Sequence, residues 1–176
     1  MILLAMVVRD EADILPANLE HHLAAGVDRV AVLDNGSTDG TADILDAYVR
    51  AGVAEVIRDD SPDFRLADAL DRLVRAAVAR HRPDWVIATD ADEFHTAPGG
   101  DLRAALAAHA GDRVLTCERD NLVGSREALE ALGWQQALRH VCTRGLMPPP
   151  GHHDPALPLE LPYFCFHLPS KVVFRP

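Results

Sequence analysis

Residues 84–95 have the sequence Asp-Trp-Val-Ile-Ala-Thr-Asp-Ala-Asp-Glu-Phe-His. The apolar run at 85–88 contains one aromatic and two β-branched residues, which predicts a short buried strand. Two carboxylates follow this strand, Asp90 and Asp92, and on an extended backbone side chains two positions apart share a face, roughly 6–7 Å apart. Because like charges on one face repel each other, one carboxylate must take a proton or find a cation. A hard divalent ion bound through oxygens meets this need, so the pair Asp90 and Asp92 predicts a site for a metal ion and the phosphate that it binds.

The composition of the 176-residue chain is that of a globular protein, with 48% hydrophobic and 25% charged residues. Its length suffices for one domain with a hydrophobic core, and we expect a single domain over residues 1–176. The formal net charge of −10 argues against a nucleic-acid partner, which normally requires a basic face. A nucleotide-sugar ligand stays compatible with this charge, because a metal ion can neutralise its phosphates.

The cysteines and the N-terminal segment bear on the cellular compartment. Cys117, Cys142 and Cys165 are odd in number and widely spaced, and they match neither a zinc pattern nor a disulfide framework. The apolar residues 1–8 are too short for a signal sequence or a membrane span, and no cationic segment precedes them. We therefore expect reduced thiols, a cytoplasmic location and no membrane span.

The hydrophobic pattern of residues 1–95 predicts strands alternating with helices. Asp13 is the expected N-cap of the first helix, with Pro16 in its first turn. This order predicts an α/β fold with a mostly parallel sheet and helices on both faces, in which ligands bind at the carboxyl ends of the strands. The acidic segments at 9–11, 34–39 and 90–92 are therefore expected to meet at one edge. The predicted strands are 2–8, 29–33, 53–57 and 85–88, and the helices end near residues 25, 51 and 81.

The pattern loosens after residue 95. Seven of the 12 prolines lie between residues 148 and 169, and prolines at this density exclude regular helix and central strand. We therefore expect an irregular, Pro-rich C-terminal part. The regular segments expected after residue 95 are a helix capped by Asp101, a strand at 113–117, a helical stretch at 125–138 that Gly133 interrupts, and late strands at 163–167 and 171–174.

Residues 34–41, Asp-Asn-Gly-Ser-Thr-Asp-Gly-Thr, form a polar turn after the second predicted strand. The two glycines permit tight turning, and Ser37, Thr38 and Asp39 offer cap oxygens for the next helix. Asp34, as the last strand residue, is expected to point into the cleft, where its carboxylate can accept an N–H of a base. From turn chemistry alone, an ordinary capped βα turn is the simpler interpretation. The segment has neither the order of an EF-hand nor that of a phosphate loop.

Three motifs in this order resemble family 2 glycosyltransferases. Residues 32–41 resemble the D-[DN]-G-S-x-D-G-T signature, and residues 6–15 resemble the opening N-E segment, with Asp10 in the Asn place. Residues 20–23, Glu-His-His-Leu, and residues 84–94 are similar to the subgroup with an E-H-H helix and a D-x-D-E-F motif. The resemblance covers residues 1–95 as a nucleotide-sugar-binding half and leaves residues 96–176 as an acceptor-side half, which relatives continue beyond.

The resemblance implies a GT-A fold with a Rossmann-like nucleotide-binding half. It also implies transfer of a sugar, with inversion, from a metal-bound nucleoside diphosphate sugar to an acceptor hydroxyl. The metal would be Mn²⁺ or Mg²⁺, and the acceptor, whether a glycan, a lipid or a small molecule, stays open. The residues that the resemblance implies for the nucleotide sugar are Asp10, Glu11, Asp34, Arg65 and Asp90; those for the metal are Asp92, Asp90 beside it, and the late His167.

Histidines 21 and 22 are expected to pack or cap on the first helix rather than bind metal. The general base that an inverting enzyme needs is less evident, because no acid of the second half stands in a motif that we recognise. Glu118 and Asp120 follow a predicted strand, and Asp120 is preferred; Asp154 and Glu160 are poorer candidates.

Two other functions stay open. One is a non-catalytic or truncated nucleotide-binding module, since relatives continue beyond residue 176. The other, less favoured, is a phosphatase with an Asp nucleophile in D-x-D. Such folds place the nucleophile after their first core strand, whereas here three βα units come first and Phe94 occupies the Thr or Val position of that motif.

Overall fold

The computed structural model describes residues 1–61, 63–120, 122–138, 140–141 and 170–176. The chain divides into two compact units: one contains Met1–Leu115 and Val172–Pro176, and the other spans Thr116–Lys171. None of the helices in these described ranges is both long and apolar enough to cross a membrane.

The main sheet contains six strands within the described residues, in the order β3-β2-β1-β4-β8-β5. Strands β1 to β4 pair in parallel, and β8 runs antiparallel to β4. The predicted α/β class with a mostly parallel sheet is therefore confirmed. The strands are β1 Ile2–Val8, β2 Arg29–Asp34, β3 Ala54–Arg58, β4 Trp85–Ala88, β5 Val114–Cys117 and β8 Lys171–Phe174, and a separate pair comprises β6 Leu122–Val123 and β7 His140–Val141.

The helices follow the predicted pattern, with the expected break at Gly133, whose φ of 75° favours glycine. Asp101 caps α4 as predicted, because its carboxylate accepts the N–H of Ala104 at 2.9 Å. The predicted strand at 163–167 lies outside the described residues. The helices are α1 Leu15–Ala24, α2 Thr41–Arg50, α3 Leu66–His81, α4 Leu102–Ala108, α5 Arg126–Leu132 and α6 Trp134–Ala137, with a 3₁₀ turn at Pro98–Gly100.

The core of the first unit lies on both faces of the sheet. On one face, Ala69, Leu73 and Ala77 of α3 pack against alternate residues of β1, β2 and β4. Their spacing of four residues places them on one stripe of the helix. The strand residues that point the other way, such as Leu4 and Met6, are also fully buried, so the opposite face is covered as well.

The start of α1 differs from the prediction. Asp13 is not its N-cap: the helix begins at Leu15, Ile14 occupies the N-cap position, and no side chain caps it. The backbone carbonyl of Glu11 instead accepts the N–H groups of Ile14 and Leu15, at 3.2 and 2.9 Å. Because a main-chain oxygen satisfies these donors, the helix needs no side-chain cap. Pro16 lies in the first turn, as predicted.

Candidate functional site

The carboxyl ends of the parallel strands meet at one edge of the sheet, as predicted. Val8 pairs with Asp34 and Asp34 with Arg58, so β1, β2 and β3 end side by side. Strand β4 joins them, since the N–H of Thr89 donates to the carbonyl of Ala5 at 3.0 Å. The acidic segments that follow these strands therefore leave the sheet at a common edge.

A cleft of about 480 Å³ opens at this edge, beyond the ends of β1, β2 and β3. Its size lies within the range of roughly 300–1,000 Å³ that is usual for small-molecule sites. The ring of Phe64 gives it an apolar wall, and Arg9 gives it a cation. Arg65 is the exposed residue directly before α3, next to Phe64 but outside the lining. The residues that line the cleft are Arg9, Asn35, Gly36, Asp60, Ser61 and Phe64.

Two loops at this edge, residues 9–12 and 34–41, are joined by hydrogen bonds, and we call them the loop pair. The carboxylate of Asp10 accepts from the backbone N–H of Thr38 at 2.6 Å, and the N–H of Asp10 donates to the Ser37 hydroxyl at 3.0 Å. Asp39 accepts from the N–H groups of Ala12 and Thr41, at 2.9 and 3.0 Å.

These contacts refine what was expected of the turn. Of the three expected cap oxygens, only that of Asp39 serves the start of α2, whereas Ser37 and Thr38 contact the neighbouring loop. The hydroxyl of Thr41 is the first cause of the lowered pKa of Asp39, so this carboxylate is held ionised. Asp10 adopts a φ of 55°, a left-handed conformation that Asp tolerates better than most residues.

Asp34 is the first residue of the second loop of the loop pair, and it is only 2% exposed. One of its carboxylate oxygens accepts the backbone N–H of Ser37 at 3.0 Å, and the other lies 4.0 Å from the guanidinium of Arg58. The first oxygen therefore holds the turn, whereas the second faces the exposed side chain of Arg58. That Asp34 accepts an N–H of a base stays a prediction.

Glu11 is half-buried, and its backbone N–H donates to the Thr41 hydroxyl at 2.9 Å. Its pKa is raised above the usual value, first by burial and then by nearby negative charges. These charges belong to Asp92, Asp13, Asp39 and Asp90. The structure therefore brings Glu11 into the electrostatic field of Asp90 and Asp92, and a cation at this edge would relieve the repulsion.

The segment after β4, residues 89–95, carries Asp90 and Asp92, both exposed to solvent; we call it the acidic loop. Within the described ranges, no group of three or more His, Cys, Asp or Glu side chains is assembled to hold a metal ion. The carboxylate oxygens are donors of the kind that Mg²⁺ and Mn²⁺ prefer, and they fit such an ion as a partial set that waters and ligand phosphates would complete. His167 lies outside the described residues.

The acidic loop is held from behind by α1. Asn18, His21 and His22 lie on one face of this helix, at spacings of three and four residues, and all three contact the loop. The prediction that His21 and His22 pack on the helix is confirmed. Burial lowers the pKa of His22 to about 4, so this imidazole is neutral at neutral pH.

The loop also has internal contacts. The carboxylate of Glu93 accepts the backbone N–H of Asp90 and the hydroxyl of Thr89, both at 3.2 Å. Phe94 packs edge-on against His21, with ring centroids 5.4 Å apart. The D-x-D-E-F motif therefore combines two exposed carboxylates with an acid and an aromatic ring that contribute to the shape of the loop.

Two groups of site residues escaped the sequence analysis. Asp60 and Ser61 line the cleft, yet nothing in their local sequence marks them. Asn18 had a usable signal, since it precedes His21 and His22 by three and four residues on the same helix face. Glu118 and Asp120, the predicted bases, are exposed and follow β5 in the second unit.

The family model of glycosyl transferase family 2 matches residues 4–128, more than half of the chain. The chain therefore belongs to glycosyl transferase family 2. The match covers β1 from Leu4 onwards, the whole of β2, β3 and β4, the loop pair and the acidic loop.

Three similar proteins or protein complexes are much longer than this chain. A TPR repeat-containing protein of Synechococcus elongatus is 38% identical over 90 residues, which are 51% of this chain and 20% of that protein. Residues 1–349 of S. aureus TarS in complex with UDP share 16% identity, with a TM-score of 0.54 over 71% of this chain and 36% of that one. The complex of the same protein with UDP-GlcNAc gives 15% identity, a TM-score of 0.51, and coverage of 71% and 35%. The fold resembles that of GT-A glycosyltransferases, and the chain spans about a third or less of the length of these proteins.

Proposed function

We propose that this chain binds a nucleoside diphosphate sugar at the edge formed by β1, β2 and β4, and that it transfers the sugar to an acceptor hydroxyl with inversion. The observation that carries the proposal is that β1 and β4 pair in parallel, so that Glu11, Asp90 and Asp92, which follow these strands, lie at the edge of the sheet where the cleft opens. Membership of glycosyl transferase family 2 supports the same reaction class.

The nucleoside would lie in the cleft. Phe64 offers a surface on which a base can stack, and the Asn35 amide offers both a donor and an acceptor. Arg9 carries the positive charge that a phosphate or a ribose oxygen attracts. Asp10 and Asp34 would support the nucleoside indirectly, because they fix the turn to which Asn35 belongs.

The diphosphate would lie beside Glu11, Asp90 and Asp92, where a divalent ion would be held by Asp92 and assisted by Asp90. When bound, Mn²⁺ or Mg²⁺ stabilises the negative charge that develops on the leaving diphosphate. The protein contributes the carboxylates and their spacing. Glu11 would favour a cation in the same place, because burial and the negative charges around it, including those of Asp92 and Asp90, oppose the ionisation of its carboxyl group.

In the transfer itself, the acceptor oxygen forms a bond to the anomeric carbon while the bond from that carbon to the diphosphate oxygen breaks. Attack on the face opposite the leaving group inverts the configuration. A general base takes the proton of the acceptor hydroxyl. Asp120 is our preferred base: if Asp120→Asn leaves the turnover rate of donor and acceptor intact, this choice is wrong.

Titration calorimetry with UDP, GDP and dTDP, each with and without Mn²⁺, tests the proposal. UDP comes first, because TarS was solved in complex with UDP and with UDP-GlcNAc. We expect micromolar or weaker binding that strengthens when Mn²⁺ is added. Absence of binding by all three nucleotides would overturn the proposal.

The same preparation separates the alternative functions. Binding without hydrolysis or transfer of any nucleotide sugar would favour a non-catalytic module, which the family match does not favour. A trapped aspartyl phosphate would favour the phosphatase, whose nucleophile would have to stand after β4, the fourth strand of the chain, rather than the first.

A further inference from the structure

We propose that Asn18, His21 and His22, which we call the helix clamp, are positioning residues that fix the acidic loop relative to Glu11. This inference rests on the proposed function, because the position it explains is that of the carboxylates facing the metal and the diphosphate. None of the three side chains is proposed to touch the ligand.

Asn18 binds the backbone on both sides of Asp92. Its amide nitrogen donates to the carbonyl of Ala91 at 2.9 Å and to that of Glu93 at 2.8 Å. Asn18 is fully buried, so these two hydrogen bonds form in a low-dielectric setting and are costly to break. The pair of contacts brackets Asp92 and therefore fixes the direction in which its side chain leaves the loop.

His22 holds Asn18 and the end of the loop together. Its Nε2 accepts the backbone N–H of His95 at 3.1 Å, so the ring proton lies on Nδ1. That Nδ1 lies 2.9 Å from the Asn18 carbonyl and 3.0 Å from its side-chain oxygen, and it donates to them. His22 thus orients the Asn18 amide so that its nitrogen faces the loop. His21 adds a fourth contact with the loop, since its Nε2 donates to the carbonyl of His95 at 2.8 Å.

The other end of α1 connects to Glu11. The carbonyl of Glu11 accepts the N–H groups of Ile14 and Leu15, which begin the helix. One rigid helix therefore carries Glu11 at its start and holds the loop of Asp92 through its middle. Packing alone would be served by apolar side chains at these positions, whereas the observed side chains all bind loop backbone or one another.

Asn18→Ala and His22→Gln test the clamp, with Leu73→Ala as a control that opens a cavity in the core on α3, away from the loop. We expect Asn18→Ala to reduce the Mn²⁺-dependent gain in UDP affinity by about tenfold or more, the size of effect seen for residues that orient metal ligands. Binding of UDP without metal should change less than about twofold. Leu73→Ala should lower the melting temperature and keep the Mn²⁺-dependent gain.

Amide hydrogen exchange of the ligand-free proteins is a second measurement, and it depends neither on ligand binding nor on turnover. We expect Asn18→Ala to speed exchange of the amides at residues 90–95 while those of β1 and β2 stay protected. His22→Gln, whose amide can replace the contact of one of the two ring nitrogens, should have the smaller effect. Unchanged loop exchange in Asn18→Ala, or an equal loss of the Mn²⁺-dependent gain in Leu73→Ala, would overturn the clamp. Failure of the wild type to bind any nucleotide would overturn the proposed function and the ligand-positioning role, and the exchange data would then report only whether α1 orders the loop.

Discussion

The loop pair and the acidic loop are both rich in aspartate, but different groups hold the backbone of each. In the loop pair, the carboxylates of Asp10 and Asp39 accept backbone N–H groups and so hold two loops together. In the acidic loop, Asn18 and His22 bind the backbone from behind, and Asp90 and Asp92 are left exposed at the surface.

This difference shows how a fold can leave carboxylates exposed at the surface of a loop whose backbone is held from behind. An aspartate in a turn normally satisfies nearby backbone donors, which stabilises the turn and occupies its oxygens. In the acidic loop, buried side chains of another element bind the backbone groups of Ala91, Glu93 and His95. The number of acids in a motif is therefore a poorer guide to a ligand site than the identity of the groups that hold its backbone.

The largest effect that this comparison predicts is at Asp92. Asp92→Asn should abolish the Mn²⁺ dependence of nucleotide binding, because it removes the charge of the principal ligand at little change in volume, and Asp90→Asn should weaken it less. Titration calorimetry of both variants with and without Mn²⁺ measures this. If the metal dependence survives Asp92→Asn, or if the wild type has none, the assignment of the acidic loop fails.

A second prediction concerns the neutral His22 beneath the acidic loop. Its pKa is lowered to about 4, mainly by burial, with His21 and His95 as its titratable neighbours. The unfolded chain binds a proton at higher pH than the folded chain, so the stabilising effect of a neutral His22 is complete above about pH 6.5. As the pH falls from about 6.5 to about 4, this effect should be lost, and the free energy of unfolding should decrease by roughly 3 kcal/mol.

Urea unfolding between pH 7 and pH 4 measures this loss. His22→Gln has no proton to gain, so its unfolding free energy should depend less on pH over the same window. Equal slopes for wild type and variant would contradict a buried neutral His22.

A third prediction concerns Asp34 in the loop pair. Asp34→Ala should weaken nucleotide binding by about 1–3 kcal/mol, the size of a lost charged hydrogen bond. Asp34→Asn should lose less, since an amide oxygen can still accept the N–H of Ser37. Titration calorimetry with UDP, GDP and dTDP measures the affinities of both variants. Unchanged affinities in Asp34→Ala would exclude Asp34 from the site.

The smallest expected effect is at Asp10. Asp10→Asn keeps an oxygen for the N–H of Thr38 and removes only the charge, so unfolding free energy should fall by about 1 kcal/mol or less. The ratio of nucleotide affinities with and without Mn²⁺ should stay the same. A change in that ratio as large as that of Asp90→Asn would remove the distinction between the loop pair and the acidic loop.

Much of this architecture could be predicted from the sequence because its determinants are local. The period of apolar residues gave β1 to β4 and α1 to α3, and the parallel order then required the acidic segments to share an edge. The predicted N-cap of α1 was wrong, because the carbonyl of Glu11 replaces the side-chain cap expected of Asp13.

What could not be predicted depends on partners that are distant in sequence. The contacts of Asp10 with Thr38, and of Asn18 with Glu93, join residues that no local pattern relates. The strand at 171–174 was expected, but its place between β4 and β5 follows from the packed sheet rather than from its own residues.

The position of β8 has a consequence for biosynthesis. Its residues Val173 and Phe174 pair with Ile87 and Val86 of β4, which leave the ribosome long before them. Until β8 emerges, β4 is an edge strand whose unpaired backbone N–H and C=O groups can pair with another nascent chain. The sheet therefore cannot be completed before residues 171–174 have left the ribosome, and ribosomes that stall before residue 171 should leave β4 open as a substrate for chaperones.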